Sequence, residues 1–269
     1  MLYLGAAGAR IGVCTEAGHA AWAALVSIGA MPLPRFATLS HHADPLPDGI
    51  AAERGWAQAV ADGAPPQAHL WQGTPGWAVP ASYARAPGWA AWQARCAAAG
   101  TPVHVRASGG GLVPQGPGLW NLSLLWRTGR DAPVQSDAVY QALCALLART
   151  LAALGVQVAS QAVEGAFCDG RYNLAAGGRK LVGTAQAWRR VGGVPVVLAH
   201  AVIVLDADPA QLTAATNAFE EGLGQARRYR VEALTSVATE ALRSGQAPGD
   251  WSLRLAQALR VQGLGLPRL

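Results

Sequence analysis

The sequence predicts an α+β domain built around a mixed sheet, and three observations carry this. VPVVLAHAVIVLD (194–206) is nearly all apolar, as a central strand buried on both faces requires. PVHVR (102–106) and LWNLSLLW (119–126) are further β-rich runs, bounded by glycine and proline turns. Helical segments flank these strands and trail after them, which suits an α+β layer arrangement.

Taken in order, residues 1–50 are dominated by small residues with no clear period and predict no defined element. A helix is expected over Ala51–Ala61, then short strands at HLW (69–71) and GWAVPASYA (76–84) about a Gly-Thr-Pro-Gly turn. APGWAAWQARCAAAG (86–100) reads as a helix closed by Gly100. SDAVYQALCALLARTLAALG (136–155) has the strongest helical pattern. Leu143, Leu147, Thr150 and Leu154 share one face, Ser136 or Asp137 caps the start, and Gly155 ends it. VQVAS (156–160) is a short strand, and RYNLAAGGRKLVGTAQAW (171–188) is a hairpin turning at Gly177 and Gly178. Three helices are expected after the central strand: PAQLTAATNAFEEGL, RVEALTSVATEALRSG and WSLRLAQALRVQ. No repeat, low-complexity tract or linker divides the chain.

The bulk properties exclude several classes. Among 269 residues, 51% are hydrophobic and 14% charged, which describes a globular chain with a sizeable core. Lys and Arg number 21 against 16 Asp and Glu, a net +5 that suits an acidic partner or anionic substrate but falls short of nucleic-acid binding. The basic clusters Arg189–Arg190 and Arg227, Arg228 and Arg230 read as solvated faces or helix ends. Cys14, Cys96, Cys144 and Cys168 form no CxxC pair, which argues against a metal site and a disulfide framework and for reduced thiols in the cytoplasm. AAWAALVSIGAMPLP, from residue 20, is too short to span a bilayer and lacks a basic stretch before it, so a soluble protein is expected.

Two segments carry chemistry. In RASGGGLVPQGPGLWNLSL (106–124), Gly109, Gly110 and Gly111 follow a strand. Consecutive glycines there either make a plain turn or let backbone N–H groups converge on an anion, with Arg106 adding a fixed charge. Neither GxGxxG nor a GxxxxGK[ST] loop is present here. In GGRKLVGTAQ (177–186), Lys180 stands in mid-strand with Gly183 close behind. It lies either on an exposed sheet face or in a pocket that Gly183 leaves open.

Together these segments resemble the lipoate–protein ligase and octanoyltransferase family. RASGGG matches its R-x-S-G-G-G loop, GRKLVGTAQ its G-R-K-[IL]-x-G-[ST]-A-Q hairpin, and VLAHAVIVLDADP the following strand, over roughly residues 65–215. The resemblance implies a largely antiparallel central sheet of the biotin/lipoate ligase type. It implies a catalytic domain over 51–269 without a separate C-terminal accessory domain, after an N-terminal segment 1–50 of unclear structure. It implies that Lys180 contacts the acyl carbonyl, or the phosphate in a ligase. Arg106, Ser108 and Gly109–Gly111 then cover the acyl group and any nucleotide, Asn121 stands on the next strand, and Gly183, Thr184, Ala185 and Gln186 line the acyl tunnel. Gln115 replaces a histidine common in relatives. His200 keeps a family histidine, but Ala201 replaces the glycine after it; an apolar-strand histidine is either a hydrogen-bonded core residue or a catalyst.

GAFCDGRYNL resembles the branch with a cysteine just before the hairpin, C-x-G-x-[YF]-[DN]-L. Cys168 alone reads as a small buried hydrophobe; in that motif it reads as a nucleophile, because thiolates attack carbonyls and thioesters pass readily to amines. Lys180 on the adjoining strand favours the thiolate if the side chains converge. The implied function is a protein acyltransferase moving an octanoyl or lipoyl group to the lysine of an acidic lipoyl domain or glycine-cleavage H protein, with Cys168 and Lys180 catalytic and no cofactor. Alternatives are a ligase using ATP and magnesium, and a non-catalytic binding paralogue. A cytoplasmic monomer that binds neither nucleic acid nor membrane is expected.

Overall fold

The computed structural model describes residues 33–129 and 135–264. Cys14 and most of the apolar run from residue 20 lie outside them. Along the chain come strand β1 (Leu39–His41), helix α1 (Gly49–Ala61), β2 (Gln67–Gln72), β3 (Gly76–Pro80), α2 (Trp89–Ala98), β4 (Val103–Arg106), β5 (Val113–Gln115) and β6 (Leu119–Arg127). Then follow α3 (Ser136–Ala152), β7 (Ala159–Gln161), β8 (Asn173–Ala176), β9 (Arg179–Val191), β10 (Val194–Val204), α4 (Pro209–Gly222), α5 (Val237–Arg243) and α6 (Trp251–Val261).

Seven strands form the main sheet in the order β1-β2-β6-β10-β9-β8-β7, parallel only between β1 and β2. The apolar run 194–206 thus supplies the central strand, and the α+β class with a mixed, largely antiparallel sheet holds. A second sheet, β4-β3-β5, carries the glycine loop between β4 and β5.

The two-residue strand period sorts β6 and β10 into two faces. Leu122 and Leu124, with Ala199, Ala201 and Ile203, join one cluster with Leu143 and Leu147 of α3 and Leu255 of α6. Full burial of one such leucine contributes about 2 kcal/mol. The alternate residues lie towards α1: Leu125 and Leu198 cluster with Val60, while Leu119 and Val202 cluster with Ile50. Between those patches the same face carries Asn121 and Ser123 on β6 and His200 on β10. The pairings His200–Ser123 and Ser123–His69 set these polar residues in one row across three strands. This polar row under a covering helix marks the candidate site.

Several local expectations are corrected. The N-cap of α3 is Gln135, so Ser136 is already helical and does not cap. The predicted helix 230–245 is broken: a 3₁₀ turn at Val231–Ala233 precedes α5. Leu234 bridges Lys180 and Thr235 N–H donates to the Lys180 carbonyl at 2.9 Å, so this stretch is held extended against β9 until Ser236 caps α5. β3 ends at Pro80, which lacks the N–H a longer ladder needs, and a 3₁₀ turn at Tyr83–Arg85 follows. The strand expected over 156–160 is displaced to Ala159–Gln161. No helix among the described residues is long and apolar enough to cross a membrane.

A real cap should be separable from the apparent one. Asp250 accepts from the N–H groups of Ser252 and Leu253 at the start of α6. Asp250→Ala is expected to cost about 1 kcal/mol in urea unfolding, whereas Ser136→Ala stays within about 0.5 kcal/mol.

Candidate active site

The loop after β4 is folded around a guanidinium. Arg106 is buried and donates to the carbonyls of Ala78 (2.7 Å), Gly109 (2.9 Å) and Gly111 (2.6 Å). Burial pulls its pKa below the usual arginine value, and the charge of Cys168 opposes that fall. A fixed fork of donors suits this role, since three carbonyls must be met at once.

The loop closes on Cys168. Gly111 N–H donates to Sγ at 3.2 Å, and Arg106 Nη2 lies 3.9 Å from the same sulfur. A Cβ on Gly110, whose φ is +99°, would sit 2.7 Å from Sγ; one on Gly111 would sit 3.3 Å from the Cys168 Cα. Nothing lies within 4 Å of a Cβ on Gly109. Two of the three glycines therefore allow close approach to the cysteine. Cys168 itself adopts φ +48°, the one non-glycine residue with positive φ among the described residues. Such a conformation costs about 1 kcal/mol and persists only where neighbours hold it.

Lys180 is what holds it. Its side chain is 0% exposed, and Nζ donates to the carbonyls of Phe167 (2.7 Å) and Cys168 (2.8 Å). A register shift between Leu174 and Ala175 offsets β8 against β9, the kind of irregularity that re-aims a side chain. Nζ ends 2.9 Å from where a Gly183 Cβ would stand, which explains that glycine. Burial pushes the lysine pKa down to about 8, partly opposed by Cys168 and Asp169. The condition that lysine and thiol converge is met at the backbone: Nζ binds the carbonyls of Phe167 and Cys168, and Arg106 Nη2 lies 3.9 Å from the sulfur.

The polar row supplies the opposite wall. His200 Nε2 lies 2.8 Å from Ser108 Oγ, and its Nδ1 lies 2.8 Å from Glu53 Oε1. The Ser123 hydroxyl donates to that same oxygen at 2.7 Å and accepts from the Trp71 indole at 2.9 Å. A narrow cleft of about 40 Å³ runs between these groups, with Cys168, Arg106, His200, Glu53, Asn121 and Gly183 on its walls. Thr184, Ala185 and Gln115 line it too, and Asn121 Nδ2 donates to Gln115 Oε1 at 2.8 Å. Gln186 does not line it; its amide donates to the Ser136 carbonyl, tying β9 to α3. Among the described residues no group of three or more His, Cys, Asp or Glu is arranged to hold a metal ion.

Sequence reasoning missed Glu53, Trp71 and Ser123. Glu53 had a readable signal: it falls with Ile50, Ala57 and Val60 on one helical stripe, a carboxyl where the period demands an apolar residue.

Residues 59–243 match the family model described as the lipoyl protein ligase A/B catalytic domain. The chain belongs to that family. An uncharacterised protein of Cupriavidus necator is 44% identical over 202 residues, covering 71% of this chain and 80% of that protein. The octanoyl-[GcvH]:protein N-octanoyltransferase of Kyrpidia tusciae is 37% identical over 146 residues, 51% of this chain and 49% of that enzyme, so the likeness spans about half of each. A bi-partite lipoate protein ligase of Thermoplasma acidophilum, described with its E2 lipoyl domain, shares the fold at a TM-score of 0.52 and 15% identity, over 88% of this chain and 99% of that one. The family match takes in Arg106, Ser108, Cys168, Lys180 and His200, and Glu53 precedes it.

Two predictions follow from the packing. Gly110→Ala places a methyl group against Sγ at positive φ and is expected to lower Cys168 alkylation by iodoacetamide at least tenfold and stability by about 1–3 kcal/mol, while Gly109→Ala leaves both near wild type. Lys180 has a folded pKa near 8 against about 10.4 unfolded, so the unfolded chain binds the extra proton between those values. Wild-type stability relative to Lys180→Met should therefore rise with pH from about 8 to 10, by roughly 1.4 kcal/mol per unit, and level off above. Paired urea titrations across that range check the sign; a flat difference refutes it.

Proposed function

We propose that this chain moves an octanoyl or lipoyl group onto the lysine of a lipoyl-carrier protein through a thioester on Cys168. The observation that carries the reading is the cleft-facing thiol of Cys168, held at positive φ by Lys180 and met by the Gly111 N–H and Arg106. Strain stored at one residue of a cleft, with a donor and a cation on its sulfur, suits a nucleophile more than a core filler. The likeness to an octanoyl-[GcvH]:protein N-octanoyltransferase supports the acyl group and a GcvH-type carrier, and the fold shared with a ligase described with an E2 lipoyl domain supports lipoyl domains as partners.

In this reading the Cys168 thiolate attacks the donor's acyl carbonyl, the donor leaves, and the acceptor amine then displaces the thiolate. Lys180 acts through the two carbonyls it binds and fixes the direction of the thiol, in place of polarising the acyl carbonyl itself. The walls of the cleft exclude water, which would otherwise hydrolyse the thioester. A ligase reading requires ATP and magnesium, with Lys180 on a phosphate. Full burial and two carbonyl bonds occupy that ammonium here, which favours the transferase.

Intact-protein mass spectrometry after incubation with an octanoylated carrier, without ATP, tests this. A hydroxylamine-sensitive gain of one octanoyl group is expected on the wild type and not on Cys168→Ala, with transfer to a second carrier at least 10³-fold slower in the variant. Transfer seen only with free octanoate and ATP, and undiminished in Cys168→Ala, overturns the proposal in favour of the ligase.

A further inference from the structure

Glu53, His200 and Ser108 form a buried chain whose donor directions can be worked out. An indole N–H only donates, so the Ser123 oxygen accepts from Trp71 and its O–H points to Glu53 Oε1. As a carboxylate Glu53 can only accept, so with Glu53 ionised that oxygen receives the Nδ1–H of His200. In the neutral imidazole the proton then sits on Nδ1, which leaves Nε2 as an acceptor for the Ser108 O–H. Carboxyl, imidazole and hydroxyl in this order, at 2.8 Å and 2.8 Å, are the parts of a proton-accepting triad.

Ser108 opens the glycine loop. Gly110 lies two residues on, a span of at most about 7 Å, and its Cβ position is 2.7 Å from Cys168 Sγ. His200 and Cys168 line the same cleft. The attack of an amine on a thioester releases a proton, and the nearby groups already described are poorly placed to take it. Arg106 stays protonated, and Lys180 does not line the cleft, its Nζ being turned behind Gly183 to two carbonyls.

We propose that His200, oriented by Glu53 and reached through the Ser108 hydroxyl, accepts the proton released when the acceptor amine attacks the Cys168 thioester. This rests on the thioester reading above. The amine nitrogen forms its bond to the acyl carbon and the carbon–sulfur bond breaks, its electron pair leaving on Cys168 as thiolate. Ser108 takes the amine proton as it passes its own to Nε2, so the products are the amide, the thiolate and a protonated imidazole beside Glu53. Glu53 is a positioning residue in this scheme, and Ser108 relays the proton.

The two half-reactions separate the proposal from a purely structural role. The full-length chain is acylated with S-octanoyl-N-acetylcysteamine, then chased with butylamine or with hydroxylamine, a weaker base that is mostly neutral at pH 7. His200→Gln and Glu53→Gln are expected to form the thioester within about threefold of wild type, yet to transfer it to butylamine about 10²-fold more slowly. Hydroxylamine restores most of the rate. Transfer to butylamine within a few-fold of wild type, or equal slowing of both half-reactions, overturns the proposal. A wild type that forms no thioester fails the earlier reading instead, and this one with it.

A readout on the wild type needs no variant. The groups facing His200 are Glu53 from α1, Ser108 and Arg106 from the β4 end, and Cys168, which no longer titrates once acylated; His69 lies beyond Glu53, and Lys180 lies behind Gly183. His69 is pushed down to about 4 by burial and by His42, and Lys180 sits at about 8. The transfer rate per neutral butylamine should fall on acidification as a single proton binds, in a step that Ser108→Ala weakens. A flat profile overturns the proposal.

Discussion

The site depends on one buried cation. Lys180 is taken wholly out of water, and its ammonium is tolerated because two successive carbonyls, those of Phe167 and Cys168, face it at hydrogen-bond distance. Two carbonyls converge on one point only if the chain between them turns sharply, which here means a positive φ at Cys168. The lysine thereby fixes which way the thiol points. Gly183 leaves the room for Nζ, and Thr235, donating to the Lys180 carbonyl, holds the strand from the other side.

A second buried cation does similar work for the loop. Arg106 collects three carbonyls and brings its edge to the sulfur, so the glycine loop is a shell moulded on a guanidinium. Cys168 is thus reached by two cations in two ways, through its backbone by Lys180 and at its sulfur by Arg106. Opposite them, the uncharged donors Trp71 and Ser123 orient Glu53 and, through it, His200. Each hydrogen of this chain has one destination, which a polar network enclosed beneath a helix requires.

Much of this was legible from the residues. The apolar run 194–206 is the central strand because a strand covered on both faces has no place for polar residues, apart from His200. Gly177 and Gly178 turn the hairpin because both adopt positive φ, +54° and +77°. RASGGG, Cys168 and GRKLVG named the site through their resemblance to a family, and the fold brings all three segments together. The break before α5 was not legible, because Val231–Arg243 has good helical composition and only the ladder to β9 holds part of it extended.

By itself, then, the sequence determined most of the elements, the family and the segments proposed to carry the chemistry, since period, turn chemistry and motif are local properties of the chain. Tertiary structure alone decided how they are arranged. Glu53 and His200 are 147 positions apart and meet only because α1 lies across the sheet. The assignment of Arg106 to the sulfur and Lys180 to the backbone depends on the register shift between β8 and β9 and on the fold of the loop after β4. Contacts between distant segments are set by how the layers pack, and no spacing along the chain records them.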